Sequence, residues 1–402
     1  MKTAILEIAP HGHYPYVESI TQVFTAVPEN EVVIFTNEKG QQYLQHLVKG
    51  DSRDNHQQVS LIIKQNTEGY DAFFQRIQSF DKIIVVTLEA YAHEPYLMMQ
   101  AFDKTEFRCP IYYVVHNIDF WFQQSLIDKI KNIFFKLTSI KDFTYRLKVY
   151  FYYTLINQRI ISKVIKSKGR FVTMTQAMGN ELAQYVGAEH VAIIPFSVFD
   201  DRINHETSTN QRLRVCIPGF LSEARRDYQA IFKLLDSSSN SFLKNNIEWD
   251  FLGGINKAEN GQAIKEKAET YILKGHQIHV YESFISMEEF DSNLSNADII
   301  LGNMHLQQGA NSIYGKTKET GIIFTMIKAA KPGILPAEYP CDSHLKSSVL
   351  TFKNYDDVLE ILKHLFNNRN ELAILQVKAL ENSLKFTPLS IYSKLENIKP
   401  TV

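Results

Sequence analysis

The sequence has few cysteines, no long apolar run and almost no net charge. Its 402 residues include three cysteines, Cys109, Cys216 and Cys341. They are too widely spaced for a metal-ligand pattern or a disulfide framework, which points to a reducing compartment. No run reaches the ~18 apolar residues that mark a membrane-spanning helix. The first ten residues, MKTAILEIAP, read as a strand and lack the apolar length of a signal peptide. The expected location is therefore cytoplasmic. With a net charge of −1, no overall field draws the chain to nucleic acid. No DxD pair is present, so no obligatory metal is expected. No internal repeat is visible.

What is present is an ordinary globular composition, 45% apolar and 22% charged, over a length that calls for two or three domains. In the first half, strands are expected at Thr3 to Ala9, Glu31 to Thr36, Val59 to Ile63, Lys82 to Thr87, Ile111 to Val115, Phe171 to Thr175 and Val191 to Pro195. Helical segments separate them, for example Tyr16 to Val27. Several strands are unbroken apolar runs, the mark of a parallel sheet covered on both faces. Ligands bind such sheets at the carboxyl ends of the strands. The loops there carry His11, His13, Glu89 to Glu94 and His116.

A polar stretch from Phe196 to Arg212 separates this half from a second alternation. Strands are expected there at Leu213 to Ile217, Glu248 to Leu252, Ile278 to Tyr281, Asp298 to Leu301, Gly333 to Leu335 and Val349 to Phe352. A helix from Ser286 carries Glu289 three residues on, a capping-box pattern. Helices close the chain, the last from Pro388 to Ile398.

Residues 121–170 stand apart. They hold eleven Lys or Arg against two Asp, a net of +9, interleaved with aromatics such as Phe134-Phe135 and Tyr150-Phe-Tyr-Tyr153. Such a segment suits an anionic membrane surface, where each basic residue is worth about 1 kcal/mol. A solvated helix pair packing its aromatics into the core would show the same composition. No nucleic-acid motif accompanies the charge.

The chain is organised around Tyr314 to Pro336, YGKTKETGIIFTMIKAAKPGILP. It reads as loop, helix, turn and strand, with the helix beginning at Thr320-Gly321. The N–H groups of a helix N-terminus and its partial positive charge favour an anion, and glycine lets the anion approach the backbone. Lys316 and Lys318 just ahead of it favour a diphosphate. A capped helix in an α/β domain accounts for the pattern equally well.

The order of motifs in the second half resembles the donor domain of GT-B glycosyltransferases, close to families 4 and 1. A strand ends at Gly219 with Arg225-Arg226 shortly after. WDFLGG (Trp249 to Gly254) is similar to the donor-domain strand and glycine turn. VYESFISMEEFDSNLSNADIIL (Val280 to Leu301) is similar to the segment whose loop meets the nucleobase, which places Phe284 and Ile285 there. Thr320-Gly321, followed by the Pro332 of AAKPGILP, looks like the helix beside the diphosphate. In the first half, APHGHY, VVHN and FVTMTQAMGNELAQYVGAEHVAIIPFSVFD resemble the acceptor domain.

The resemblance implies an α/β protein of two Rossmann-like parallel-sheet domains facing a cleft, with C-terminal helices crossing back to the first domain. The expected boundaries are 1–198 for the acceptor domain, 199–384 for the nucleotide-sugar domain and 385–402 for the terminal helix. The family 4 glutamate pair would fall at Thr317 and Thr325, and neither is Glu. Glu319 is the only carboxylate between Tyr314 and Leu335. The stereochemistry therefore stays open.

The implied activity is transfer of a sugar from a nucleotide diphosphate sugar to a hydroxyl of a glycan or lipid-linked acceptor at the cytoplasmic membrane face. No cofactor beyond the donor is implied. Donor contacts are expected from Gly219, Arg225, Arg226, Phe284, Ile285, Lys316, Lys318, Glu319, Thr320 and Gly321. An inverting transfer needs a base, and histidine has the suitable pKa. His13 comes first, in the loop after the first strand, then His11 and His116. The alternatives are a non-catalytic nucleotide-sugar-binding scaffold and a nucleotide-sugar epimerase.

Overall fold

In the computed structural model the strands form as the apolar runs require. The structure describes all residues except 10–11, 50–57, 66, 89–92, 124–154, 204–210, 238–239, 284, 309–311 and 398–402. The chain divides into two compact units, Met1–Phe196 with Pro388–Val402, and Ser197–Thr387.

The first unit carries β1 (Lys2–Glu7), β2 (Glu31–Thr36), β3 (Val59–Ile63), β4 (Lys82–Val85), β5 (Ile111–Val114), β6 (Arg170–Thr173) and β7 (Val191–Ile193). They form one sheet in the order β3-β2-β1-β4-β5-β6-β7, every pair parallel. The chain starts at β1, runs outward to β3, and then returns to the other side at β4. The switch in direction therefore lies between β1 and β4, where an open parallel sheet leaves a crevice at its carboxyl edge. Residues of β1, β4 and β5 are buried on both faces, which is why they read as unbroken apolar runs. Phe35, Phe73, Phe74, Phe80 and Phe102 pack edge to edge in the core under the sheet, each contributing about 1.5–3 kcal/mol by burial.

The helix Pro388–Asn397 completes this unit. Tyr392 meets Phe24 edge-on, the Leu395 carbonyl accepts from buried Arg170, and Glu396 pairs with Lys82 at 2.7 Å. The basic, aromatic segment lies largely outside the described residues. In its described part, Ile156, Ile160 and Val164 recur every fourth residue and enter the core. Lys163 donates to the carbonyls of Phe102, Asp103 and Thr105, and Arg159 pairs with Asp103. Arg159, Lys163 and Arg170 thus serve the packing of this unit. Among the described residues no helix is long and apolar enough to cross a membrane.

The second unit repeats the architecture with β8 (Leu213–Cys216), β9 (Ile247–Phe251), β10 (Gln277–Val280), β11 (Ile299–Leu301), β14 (Gly333–Pro336) and β15 (Val349–Phe352), in the order β10-β9-β8-β11-β14-β15. The switch falls between β8 and β11. Asp298, read as the opening of its strand, is buried and accepts from the Arg214 N–H at 2.8 Å, tying the two strands that flank the switch. A small antiparallel pair, β12 (Gln307–Gln308) with β13 (Ser312–Ile313), interrupts the alternation after β11. The sequence gives it no periodic signal, because each strand is two residues long and mostly polar.

Candidate functional site

Each unit gathers chemistry at its own switch point. In the second unit the loop after β8 and the loop after β11 meet as a short antiparallel ladder. Arg226 bridges Met304, the Asp227 N–H donates to Asn303 O at 2.8 Å, and the His305 N–H donates to Arg225 O at 3.2 Å. Side chains alternate across such a ladder, and so two neighbouring arginines have different fates. Arg225 faces out and forks onto Glu259 at 3.2 and 3.4 Å. The Ser222 hydroxyl and this guanidinium hold the Glu259 carboxyl below its usual range.

Arg226 turns inward and is 6% exposed. Its Nη2 donates to the Pro218 carbonyl at 2.9 Å, its Nε has no partner, and no carboxylate pairs with it among the described residues. A buried guanidinium with one carbonyl for company is expensive. Burial pulls its pKa down and Arg225 adds to the fall, while the Tyr228, Tyr314 and Tyr355 side chains counter this only in part. Fully buried Asn303 stands on the facing strand with both amide atoms unpartnered, and the Tyr228 hydroxyl is unpartnered too. This is the environment an anion would complete.

Gly219 is what lets the arginine lie there. Its φ is +104°, and a Cβ at this position would stand 2.7 Å from Arg226 Nη2. Gly219→Ala is therefore expected to cost more than ~1 kcal/mol of stability and to weaken binding of a nucleoside diphosphate. Thermal melts with and without the nucleotide would check both.

The loop of the Tyr314 stretch is a tight turn. Gly315 N–H donates to Lys318 O, Thr317 N–H donates to Ile313 O, and the Thr317 hydroxyl accepts from Ile313 N–H. Tyr314 is buried and feels the charges of both Arg226 and Arg225. Lys318 stands 6.0 Å over the Tyr314 ring and within electrostatic reach of Glu259, so this loop belongs to the same neighbourhood. Lys316 is exposed on the turn. Thr320 caps the helix Gly321–Ala329, its hydroxyl accepting from Ile322 N–H at 3.4 Å. The space beyond Gly321 is open: an added Cβ would meet nothing within 4 Å. Glu319 is held at the helix start, its Oε1 accepting from Tyr339 O–H at 2.7 Å and Thr320 N–H at 2.8 Å. Ile285 is buried before the Ser286 cap, in the loop after β10, two strands from the switch. Phe284 lies outside the described residues.

In the first unit the switch carries a relay. Glu7 ends β1 and is fully buried. It accepts from the Thr87 hydroxyl at 2.6 Å and from the His13 N–H at 3.1 Å. The Thr87 oxygen lies 2.9 Å from His13 Nδ1. With its own proton given to the carboxylate, Thr87 accepts from Nδ1–H. That leaves Nε2 of His13 as the bare acceptor. His116, at the end of β5, stacks on His13 with centroids 3.8 Å apart, and its Nε2 donates to the Val86 carbonyl at 2.8 Å. Burial lowers the His13 pKa to about 4 and holds His116 well below its ordinary value, with the neighbouring His13 adding to that shift. Both rings are therefore neutral at pH 7. His11 lies outside the described residues. Glu7 and Thr87 were hidden in the sequence inside apolar strands; a glutamate in the otherwise apolar run AILEIA is the one signal that marks the relay.

No protein-family model and no curated protein matches the sequence. Solved structures do match its fold. A glycosyltransferase from Rickettsia africae covers 99% of this chain and 98% of its own at 12% identity, with a TM-score of 0.62. Alr3699/HepE of Anabaena in complex with UDP covers 98% of both chains at 14% identity, TM-score 0.60. A sucrose-phosphate synthase from Thermosynechococcus elongatus covers 99% and 98% at 11% identity, TM-score 0.58. The fold is GT-B. Arg226 lies in the second unit and His13 in the first.

Proposed function

We propose that the chain is a glycosyltransferase that takes a sugar from a nucleoside diphosphate sugar. The observation that carries the reading is buried Arg226 at the β8–β11 switch, a cation with no carboxylate partner among the described residues. A donor diphosphate supplies the missing charge through bidentate, charge-assisted hydrogen bonds. The open N-terminus of the helix Gly321–Ala329 and Lys318 add donors for the leaving group, whose charge grows in the transition state. A uridine diphosphate sugar is the donor class favoured by the likeness to HepE, which was solved with UDP and with UDP-glucose.

In this reading His13 takes the acceptor proton at Nε2. Glu7 and Thr87 hold its tautomer, and the stacked His116 holds its plane. Incubation with a panel of nucleoside diphosphate sugars tests the reading. Slow release of the diphosphate from one of them is expected, and the reading fails if none is bound or cleaved.

The proposed acceptor is a glycan or lipid-linked precursor at an anionic membrane face. Its support is the net charge of +9 over residues 121–170. Replacing the basic residues of 129–148 by Gln is expected to release the protein from anionic vesicles in a flotation assay. Unchanged binding would remove the membrane from the proposal.

A further inference from the structure

The outward face of the Arg226–Met304 ladder carries three groups that the transfer does not use. We infer that Glu223, Asp227 and His305 form a binding site for a divalent cation of the zinc class. Their ligand atoms all lie within 4.8 Å of one another. One imidazole and two carboxylates make a borderline donor set that suits zinc and leaves a fourth position open.

The backbone sets the constellation in advance. Asp227 and His305 are each fixed by a ladder hydrogen bond, to Asn303 O and Arg225 O. The turn that places Glu223 is closed by the Arg225 and Arg226 N–H groups, both donating to Ser222 O. Asp227 spends one oxygen capping the helix Tyr228–Leu235 through the Ala230 N–H at 2.9 Å, and Glu223 spends one on the Gln229 N–H at 3.3 Å.

An independent observation points to a missing ligand. Glu223 Oε2 is shielded from solvent and has no hydrogen-bond partner. No lysine or arginine forms an ion pair with Glu223 or Asp227 among the described residues, although Lys267 is near enough to be felt. Lys267 instead donates to Gln229 at 2.8 Å and lies over the Phe232 ring. A cation between the three groups would satisfy the orphaned oxygen and remove the repulsion between the carboxylates. Bonds of about 2.0–2.2 Å need only a small closure of the side chains.

The inference is independent of the sugar-transfer reading, and its test contains no nucleotide. The full-length chain, stripped with a chelator, is titrated with zinc by calorimetry and with cobalt(II) by visible absorption. One equivalent is expected to bind, with nitrogen and oxygen ligands in the cobalt spectrum. Glu223→Gln, an isosteric change, and His305→Ala are each expected to weaken that equivalent by at least ~10-fold. His279→Ala, which removes a histidine paired with Glu248 elsewhere on the unit, should leave it unchanged. Circular dichroism confirms that the variants are folded. Failure of the wild-type chain to bind zinc, or equal binding by both site variants, would overturn the inference. A chain that binds zinc here but cleaves no nucleotide sugar would leave it standing and defeat the transferase reading.

Discussion

Arg226→Met is expected to abolish donor use while leaving the fold as stable as before, or more so. The two effects have one cause. The guanidinium is buried and donates to the Pro218 carbonyl, with no carboxylate partner among the described residues, and a buried charge without a counter-charge costs several kcal/mol. Methionine fills much of the same volume without that cost. In the proposed reading the same guanidinium meets the diphosphate of the donor, and losing one such hydrogen-bond donor costs roughly 10²–10³ in rate. A thermal melt and a donor-binding isotherm on the same preparation read both arms. A structural arginine would behave in the opposite way: its loss would lower the melting temperature and leave nucleotide affinity intact. Arg225→Met is the comparison. Its charge is already matched by Glu259, so a much smaller loss of binding is expected.

His13→Gln should remove about 10²–10⁴ of the transfer rate with little change in the donor KM, because the histidine stands in the other unit. The pH profile separates a base from a spacer. Burial sets the His13 pKa at about 4 rather than 6.5, so the acid limb of the wild-type rate is expected near pH 4 and is absent from the residual activity of the variant. Thr87→Val keeps the shape but breaks the relay to Glu7. It should lower the rate constant by freeing the wrong tautomer while leaving donor affinity unchanged. Stability follows the same groups. A histidine whose folded pKa is lowered binds its proton more readily when unfolded, so its contribution is complete above pH 6.5 and is lost as the pH falls toward 4. His13→Gln should flatten that part of the stability curve in denaturant titrations.

The sheet strands were legible because they are buried on both faces and carry no interruption; Lys82 to Val85 and Ile299 to Leu301 are examples. The Tyr314 stretch was legible as a capped helix start, and Thr320 does cap it. What the sequence could not separate was Arg225 from Arg226. They are adjacent and identical, and only the alternation of a two-rung ladder sends one to Glu259 and the other inward. The ladder itself had no signal, since its partner strand, Asn303 to His305, has no apolar period. The helix Asn240–Asn246 carries no clear periodic signal, since it is short and rich in Asn. Glu7 and Thr87 looked like parts of apolar strands, and their pairing across the switch depends on β1 and β4 being neighbours although 75 residues of sequence separate Glu7 from Lys82.

The central claim is that the donor diphosphate sits at the β8–β11 switch of the second unit. The most direct measurement is a crystal structure of the full-length chain with UDP bound. The diphosphate oxygens are expected within about 2.7–2.9 Å of the Arg226 guanidinium, with the N-terminal N–H groups of the helix Gly321–Ala329 alongside. A diphosphate bound elsewhere, with Arg226 still touching only the Pro218 carbonyl, would contradict the account.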